Sequence, residues 1–305
     1  MKYKGLDIIS LRDLDRDFLD FLLAKTKEVK EGKWQNSCKG MVVASLFFEP
    51  STRTKLSFDT AIALTGASMI GFSSAGTSST AKGESLSDTI KTVDQYADII
   101  VMRHSIEGAA RRAAEVAQAP IINAGDGANQ HPTQTFLDLF TIHELKGGIE
   151  KLKIGLMGDL RFGRTIHSLA MALSYYNVEL YLISPSILQL PSYYLDYLDS
   201  KNIKYHIVED FVEVGKELDV LYCTRIQRER FADPVEYEKV AGCYEISSKN
   251  IDSLSKDTII LHPLPRVNEI NPEVDNDPRA KYFYQAKNGV YTRAALLGIV
   301  AGNIS

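Results

Sequence analysis

Cysteine is scarce, with three in 305 residues, at positions 38, 223 and 243. An odd number so widely spaced builds neither a disulfide framework nor a zinc knuckle, and it fits a reducing compartment. A basic excess is missing too. Lys and Arg total 35 against 39 Asp and Glu, a net charge of −4, so the footprint of a nucleic-acid binder is absent. Apolar stretches such as Met41 to Phe48 fall far short of a bilayer's thickness. No apolar segment follows the lysines of the opening Met-Lys-Tyr-Lys-Gly, so no secretory signal is read. Repeats and low-complexity tracts are also lacking. These absences predict a cytoplasmic protein with no nucleic-acid and no membrane partner. What is present is ordinary globular composition, 45% hydrophobic and 24% charged, in a chain long enough for about two domains with cores of their own.

The chain alternates in character along its length. Ser10 to Asp15 supplies capping residues ahead of a helical stripe (Phe18, Phe21, Leu22, Lys25, Val29) that runs out at Gly32. Met41 to Phe48, rich in β-branched and aromatic residues, predicts a buried strand. Thr54 to Leu64 predicts a helix, and Ala67 to Phe72, Asp98 to Met102 and Pro120 to Ala124 further strands, with helices near 84–97 and 106–117. Pro132 is placed to open a helix that ends at Gly147-Gly148. Strands then recur at Lys153 to Met157, Val178 to Ile183, Lys204 to Val208, Asp219 to Cys223 and Thr258 to Leu261, with helices between, and Thr292 to Val300 reads as a last apolar helix. Such alternation predicts two tandem parallel-sheet α/β domains joined along the 132–147 helix, with ligands at the carboxyl ends of the strands, between the domains.

The loops at those strand ends hold the chemistry. They are Glu49 to Thr54, Arg103-His104, Asn123 to Gln134, Gly158 to Thr165, Thr224 to Gln227, and His262 to Arg266. Hydroxyls, amides, imidazoles and guanidiniums dominate and carboxylates are sparse, which asks for an anionic ligand. Ser51-Thr52-Arg53-Thr54 follows a strand and opens a helix, a phosphate cradle of backbone N–H groups, hydroxyls and an arginine fork; equally, Ser51 or Thr52 caps the helix and Arg53 is solvated. It lacks the spacing of a P-loop. Arg103 ends a strand and either reaches solvent or turns into the strand-end crevice. His131, held extended by Pro132 ahead of a helix start, suits a neutral hydrogen-bond donor or a packing role. No further His, Cys or carboxylate lies at ligand spacing, so neither a metal nor another cofactor is called for. Gly158-Asp-Leu-Arg-Phe-Gly163 lacks the middle glycine of a dinucleotide fingerprint, and Ser184-Pro185 stands where an acid would hold a ribose, which argues against NAD. Arg164, Arg225 and Gln227 offer carboxylate receptors, or a solvated charge-rich loop. His262-Pro263-Leu264-Pro265 presents restricted carbonyl acceptors and a candidate cis X-Pro bond.

In order and over nearly the whole chain, these motifs resemble the aspartate/ornithine carbamoyltransferase family, and within it the aspartate branch. Ser51 to Thr54 matches its carbamoyl-phosphate signature, and Arg103-His104 and His131-Pro-Thr-Gln134 its next two binding elements. Gly163-Arg-Thr165 and Thr224-Arg-Ile-Gln227 look like its amino-acid receptors. In His262-Pro-Leu-Pro-Arg266, Leu264 stands where the ornithine branch carries Cys. Thr77, Ser78 and Lys82-Gly-Glu84 match a further loop, with Ala81 where a second lysine is often found.

The resemblance implies a carbamoyl-phosphate-binding domain from residues 1–134 with 288–305 and an aspartate-binding domain from 135–287. It also implies transfer of the carbamoyl group of carbamoyl phosphate to the amino group of L-aspartate, an early step of de novo pyrimidine biosynthesis. Ser51, Thr52, Arg53, Thr54 and Arg103 would hold the phosphate; Thr54, Arg103 and His131 would donate to the carbonyl oxygen. Gln134 and the carbonyls of Pro263 and Leu264 would receive the amide. Arg164, Thr165, Arg225 and Gln227 would bind aspartate. Ser78 and Lys82 would enter a neighbour's site in a homotrimer, Lys82 meeting both substrates. Glu107 to Arg111 looks like the stretch of chains that assemble with a separate zinc-bearing regulatory chain, and reads as well as an ordinary amphipathic helix. A carbamoyltransferase for ornithine or an N-acyl-ornithine, and a non-catalytic assembly subunit, remain the competing readings; an assay of each acceptor separates them.

Overall fold

The computed structural model of the chain describes residues 2–74, 83–231 and 233–305; Ser78 and Lys82 lie outside them. It divides into two compact units, Met1–Phe140 with Ala286–Ser305, and Thr141–Gln285. The passage from one to the other falls inside the helix that Pro132 opens.

The first unit begins with α1 (Arg16–Lys30), whose N-cap Asp15 accepts from the Phe18 N–H at 2.8 Å. There follow β1 (Val42–Phe47), α2 (Thr52–Leu64), β2 (Ser68–Phe72), α3 (Leu86–Val93), β3 (Ile99–His104), α4 (Ala109–Ala114), β4 (Ile121–Asp126) and α5 (Pro132–Lys146). The strands form one parallel sheet in the order β2-β1-β3-β4. Ala44, Leu46, Ile100, Met102 and Ile121 pack beneath Ile90, Ala109 and Ala113 of the helices. Strands buried on both faces read as continuous apolar runs, which is why β1 and β3 were legible. β2, expected over Ala67 to Phe72 and found at Ser68–Phe72, is an edge strand with exposed residues. From β1 the chain moves outward to β2, then returns to β3 on β1's other side. The loops after β1 and β3 therefore diverge, leaving a crevice at their carboxyl ends. Parallel pairing sets Phe47 level with Arg103, so Arg103 stands at that crevice.

The second unit holds β5 (Lys153–Met157), α6 (Arg164–Leu173), β6 (Glu179–Ile183), α7 (Ser192–Ser200), β7 (Lys204–Val208), α8 (Phe211–Val214), β8 (Val220–Cys223), α9 (Pro234–Glu238) and β9 (Ile259–Leu261). Its sheet, again parallel, runs β7-β6-β5-β8-β9, so the order reverses between β5 and β8. Met157, Ile183, Leu221, Cys223, Ile246 and Ile260 form its core. Cys38 and Cys223 are buried free thiols. The last helix, α10, spans Tyr282–Ala301, well beyond the expected Thr292 to Val300. Asn288-Gly289 weakens local helix propensity, and tertiary packing overrides it. The helices expected near 84–97 and 106–117 are shorter, because turns occupy their ends. No described helix is long and apolar enough to cross a membrane.

Candidate active site

In the first unit, α2 starts where β1 ends. Its N-cap Ser51 has extended backbone (φ −159°, ψ 101°) and makes no side-chain cap hydrogen bond. Ser10 and Ser85, in the same position elsewhere, both cap. The capping role that the sequence allows for Ser51 is thus not taken up, which leaves its hydroxyl beside a helix N-terminus suited to an anion. Thr52 and Arg53 are exposed on the first turn, whereas Thr54 is buried. Thr54 Oγ1 lies 3.4 Å from Nε2 of His131, itself buried just before α5, and Nδ1 of His131 is 3.5 Å from Thr133 Oγ1. Residues 77 apart in sequence are brought together by the starts of two helices.

Arg103 does not reach solvent freely. Its side chain is 11% exposed, and its Nε donates to Glu49 Oε2 at 3.0 Å. Burial pulls the guanidinium below its usual pKa, with Glu49 opposing. Nδ1 of the neighbouring His104 accepts from the Ile106 N–H at 3.0 Å, and burial lowers its pKa also. Nε2 of Gln134 donates to buried Asp138 at 2.8 Å, fixing which end of the amide remains for a ligand, and the charge of buried Arg293 opposes that of Asp138. That burial takes Arg293 down to about 10.

Asp126, buried at the end of β4, organises the approach to His131. It accepts from Asn123 Nδ2 at 3.0 Å, the Gln130 N–H at 3.1 Å, the Gly108 N–H at 2.9 Å and Asn129 Nδ2 at 3.0 Å. Gln130 Oε1 in turn accepts from Ser10 Oγ at 3.1 Å and the Leu11 N–H at 2.9 Å. In the sequence Asp126 shows only as an acid in a loop of amides. Asp126→Ala leaves buried donors unsatisfied and is expected to cost about 1–3 kcal/mol. A urea midpoint equal to wild type at unchanged m-value would refute that role.

In the second unit, the loops after β5 and β8 flank the reversal in strand order. Gly158 has φ +116°, and a Cβ there would stand 2.1 Å from the Thr224 carbonyl oxygen; one on Gly163 would stand 2.3 Å from that of Asp159. Both glycines thus serve close backbone packing, which accounts for the partial dinucleotide pattern. Buried Asp159 accepts from the Phe162 N–H at 2.9 Å and the Gln227 N–H at 3.2 Å, and Gln227 Nε2 donates to the Phe162 carbonyl at 3.0 Å. Burial pushes the Asp159 carboxyl up in pKa, opposed by these bonds and by Arg225. Arg225 is half-buried, and its Nη1 donates to Glu229 Oε2 at 3.1 Å. Arg164 and Thr165 open α6 behind Gly163, which offers no side-chain cap.

Pro263 and Leu264 follow β9. The Leu264–Pro265 bond is cis and Leu264 has φ +55°. Arg266 turns away to Asp275 (Nη2 to Oδ2, 2.7 Å) and to the Tyr282 hydroxyl at 2.9 Å. The expected residues thus gather as Thr54 with His131 in one unit and Asp159-bound Gln227 near Arg225 in the other. Glu49 and Glu229 are the local partners of Arg103 and Arg225, pairings that no motif in the sequence signals.

The carbamoyl-phosphate-binding domain model of aspartate/ornithine carbamoyltransferases matches residues 6–144, and the Asp/Orn-binding domain model matches residues 150–300. The chain belongs to the aspartate/ornithine carbamoyltransferase family. The family's first domain thus carries Ser51 to Thr54, Arg103, His131 and Gln134, and its second Arg164, Arg225, Gln227 and the 262–266 turn. The chain is 53% identical over 306 residues to the aspartate carbamoyltransferase catalytic subunit of Thermococcus onnurineus, covering 99% of each. It is 50% identical over 296 residues to that of Bacteroides fragilis, covering 97% of this chain and 96% of the other. Among solved carbamoyltransferases, the catalytic subunit of M. jannaschii aspartate transcarbamoylase superposes with a TM-score of 0.90 at 47% identity, covering 97% and 98% of the two chains. The Trypanosoma cruzi enzyme in complex with carbamoyl phosphate and aspartate gives 0.91 at 38%, covering 98% of each.

Proposed function

We propose that the chain transfers the carbamoyl group of carbamoyl phosphate to the α-amino group of L-aspartate, giving N-carbamoyl-L-aspartate and phosphate for de novo pyrimidine synthesis. The observation that carries the proposal is the buried Thr54–His131 contact at 3.4 Å beside the uncapped start of α2, in a chain that is a carbamoyltransferase by family. Ser51 to Thr54 and Arg103 take the phosphate. Thr54, Arg103 and His131 donate to the carbonyl oxygen as it becomes an oxyanion. Gln134, Pro263 and Leu264 take the amide. Arg164, Thr165, Arg225 and Gln227 take the aspartate carboxylates. The neutral amine attacks the carbonyl carbon, the carbon–oxygen bond to phosphate breaks, and the proton shed by the attacking nitrogen leaves with the phosphate, so positioning and electrostatics supply the rate. Aspartate-dependent carbamoylation by the purified chain, run against ornithine and N-acetylornithine, tests this; a preference for ornithine overturns it.

The proposal extends to a cytoplasmic homotrimer with shared sites. What supports it is β2: Met69 and Ile70, 46% and 38% exposed on an edge strand, are costly to leave in water, and Ser78 and Lys82 follow soon after in sequence. Mixing inactive Lys82→Ala chains with inactive His131→Ala chains is expected to restore activity, since some mixed interfaces pair an intact His131 with an intact Lys82. No rescue despite demonstrated subunit exchange would reject sharing. We assign the exposed Glu107 and Arg111 to a separate zinc-bearing regulatory chain; a native mass of trimers alone, for protein isolated from its own cells, would reject that partner.

A further inference from the structure

His262 is buried at the entrance to the Pro263–Pro265 turn, and its side chain makes two opposed hydrogen bonds. Nδ1 lies 2.7 Å from the Leu264 backbone nitrogen and Nε2 lies 2.7 Å from Glu269 Oε1. A backbone N–H can only donate, so Nδ1 accepts and the ring proton sits on Nε2, pointing at Glu269. The carboxylate is itself anchored. Its other oxygen accepts from the Val267 and Asn268 N–H groups, each at 3.1 Å. Burial raises the Glu269 pKa, but the His262 contact and the backbone donors outweigh it and the net shift is downward, toward the ionised acceptor that this tautomer needs.

The turn depends on that ring. Pro263 and Pro265 have no N–H, so the Leu264 N–H is the one backbone donor among residues 263–265, and His262 takes it. Leu264 also sits at φ +55°, a left-handed backbone conformation unfavourable for a non-glycine residue, which persists only where its surroundings impose it. The His262 N–H donates to Gln285 Oε1 at 2.8 Å, securing the base of the turn.

We propose that His262 and Glu269 are a positioning pair: Glu269 holds the His262 tautomer, and Nδ1 of His262 fixes the Leu264 peptide so that the Pro263 and Leu264 carbonyls aim at the carbamoyl amide. This rests on the proposed function. Neither residue touches substrate. His262 acts on carbamoyl-phosphate recognition; Glu269 also faces Arg225, whose pKa its charge helps to raise, so the test varies His262 and leaves Glu269 in place.

Two amide variants separate the two ring nitrogens. His262→Asn places an acceptor oxygen near Nδ1; His262→Gln places an NH2 near Nε2 and leaves the Leu264 N–H unanswered. The Asn variant is expected to exceed the Gln variant by at least about tenfold in kcat/KM for carbamoyl phosphate, with KM for aspartate moving less than threefold in either. Equal kcat/KM in the two variants, or a loss confined to aspartate KM, overturns the proposal. Should His262→Gln fail to fold, the same tenfold advantage of Asn over His262→Ala is the deciding comparison. Wild-type protein assayed alongside distinguishes the failures: inactive wild type refutes the carbamoyltransfer reading, whereas active wild type with indistinguishable variants refutes only the positioning pair.

Discussion

Replacing Arg103 with alanine is expected to lower kcat by about a hundred- to a thousandfold, equivalent to about 3–4 kcal/mol of transition-state stabilisation. The guanidinium is nearly enclosed at the end of β3, and alanine leaves no cation in its place. In the proposed mechanism it faces charge already on the phosphate and charge that grows on the carbonyl oxygen. Loss of the first raises KM for carbamoyl phosphate, and loss of the second lowers kcat. Glu49, whose side chain is 35% exposed, can turn its freed carboxylate to solvent, so the fold should tolerate the change. Arg103→Lys keeps a charge but loses the planar fork, and is expected to recover only part of the activity. Steady-state kinetics with a urea midpoint as control settles it. An alanine variant within threefold of wild-type kcat would remove Arg103 from the mechanism.

Asp159→Ala is expected to raise KM for aspartate by about ten- to a hundredfold while carbamoyl-phosphate binding changes little. Asp159 is fully buried and ties the loop after β5 to the loop after β8 through the Phe162 and Gln227 N–H groups. These donors are part-buried, and each left unsatisfied costs up to about 1–3 kcal/mol, enough to let Gln227 and Arg225 drift from the geometry a dicarboxylate needs. Calorimetric titration with carbamoyl phosphate and kinetics with varied aspartate separate the two substrates. Weakened carbamoyl-phosphate binding with aspartate KM unmoved would place these loops on the wrong substrate.

Local pattern carried much of this protein into view. Val42 to Phe47 and Ile99 to Met102 were legible as strands because both faces of a parallel sheet are covered. Pro132 announced α5 because its missing N–H costs nothing at a helix start. The polar loops stood out together, as donors and cations recurring at successive strand ends, although each alone reads equally as a cap or a solvated loop. Acidic residues were harder to read. Glu49, Asp126, Asp159 and Glu269 each satisfy donors or cations within their own unit, and an isolated acid in a loop looks the same whether it does so or is solvated.

The sequence by itself determined the alternating α/β class, the loops that bear the chemistry and, through their motifs in order, the carbamoyltransferase family. Only the tertiary structure decided the strand orders β2-β1-β3-β4 and β7-β6-β5-β8-β9, and with them which loops face the crevices. It also decided that Ser51 does not cap its helix, that Arg103 meets Glu49 across 54 residues, and that Gln227 meets Asp159 across 68. The physical reason is range: propensity, capping and periodicity act over a few neighbouring residues, whereas strand order and buried ion pairing depend on groups that become neighbours only once the chain has folded.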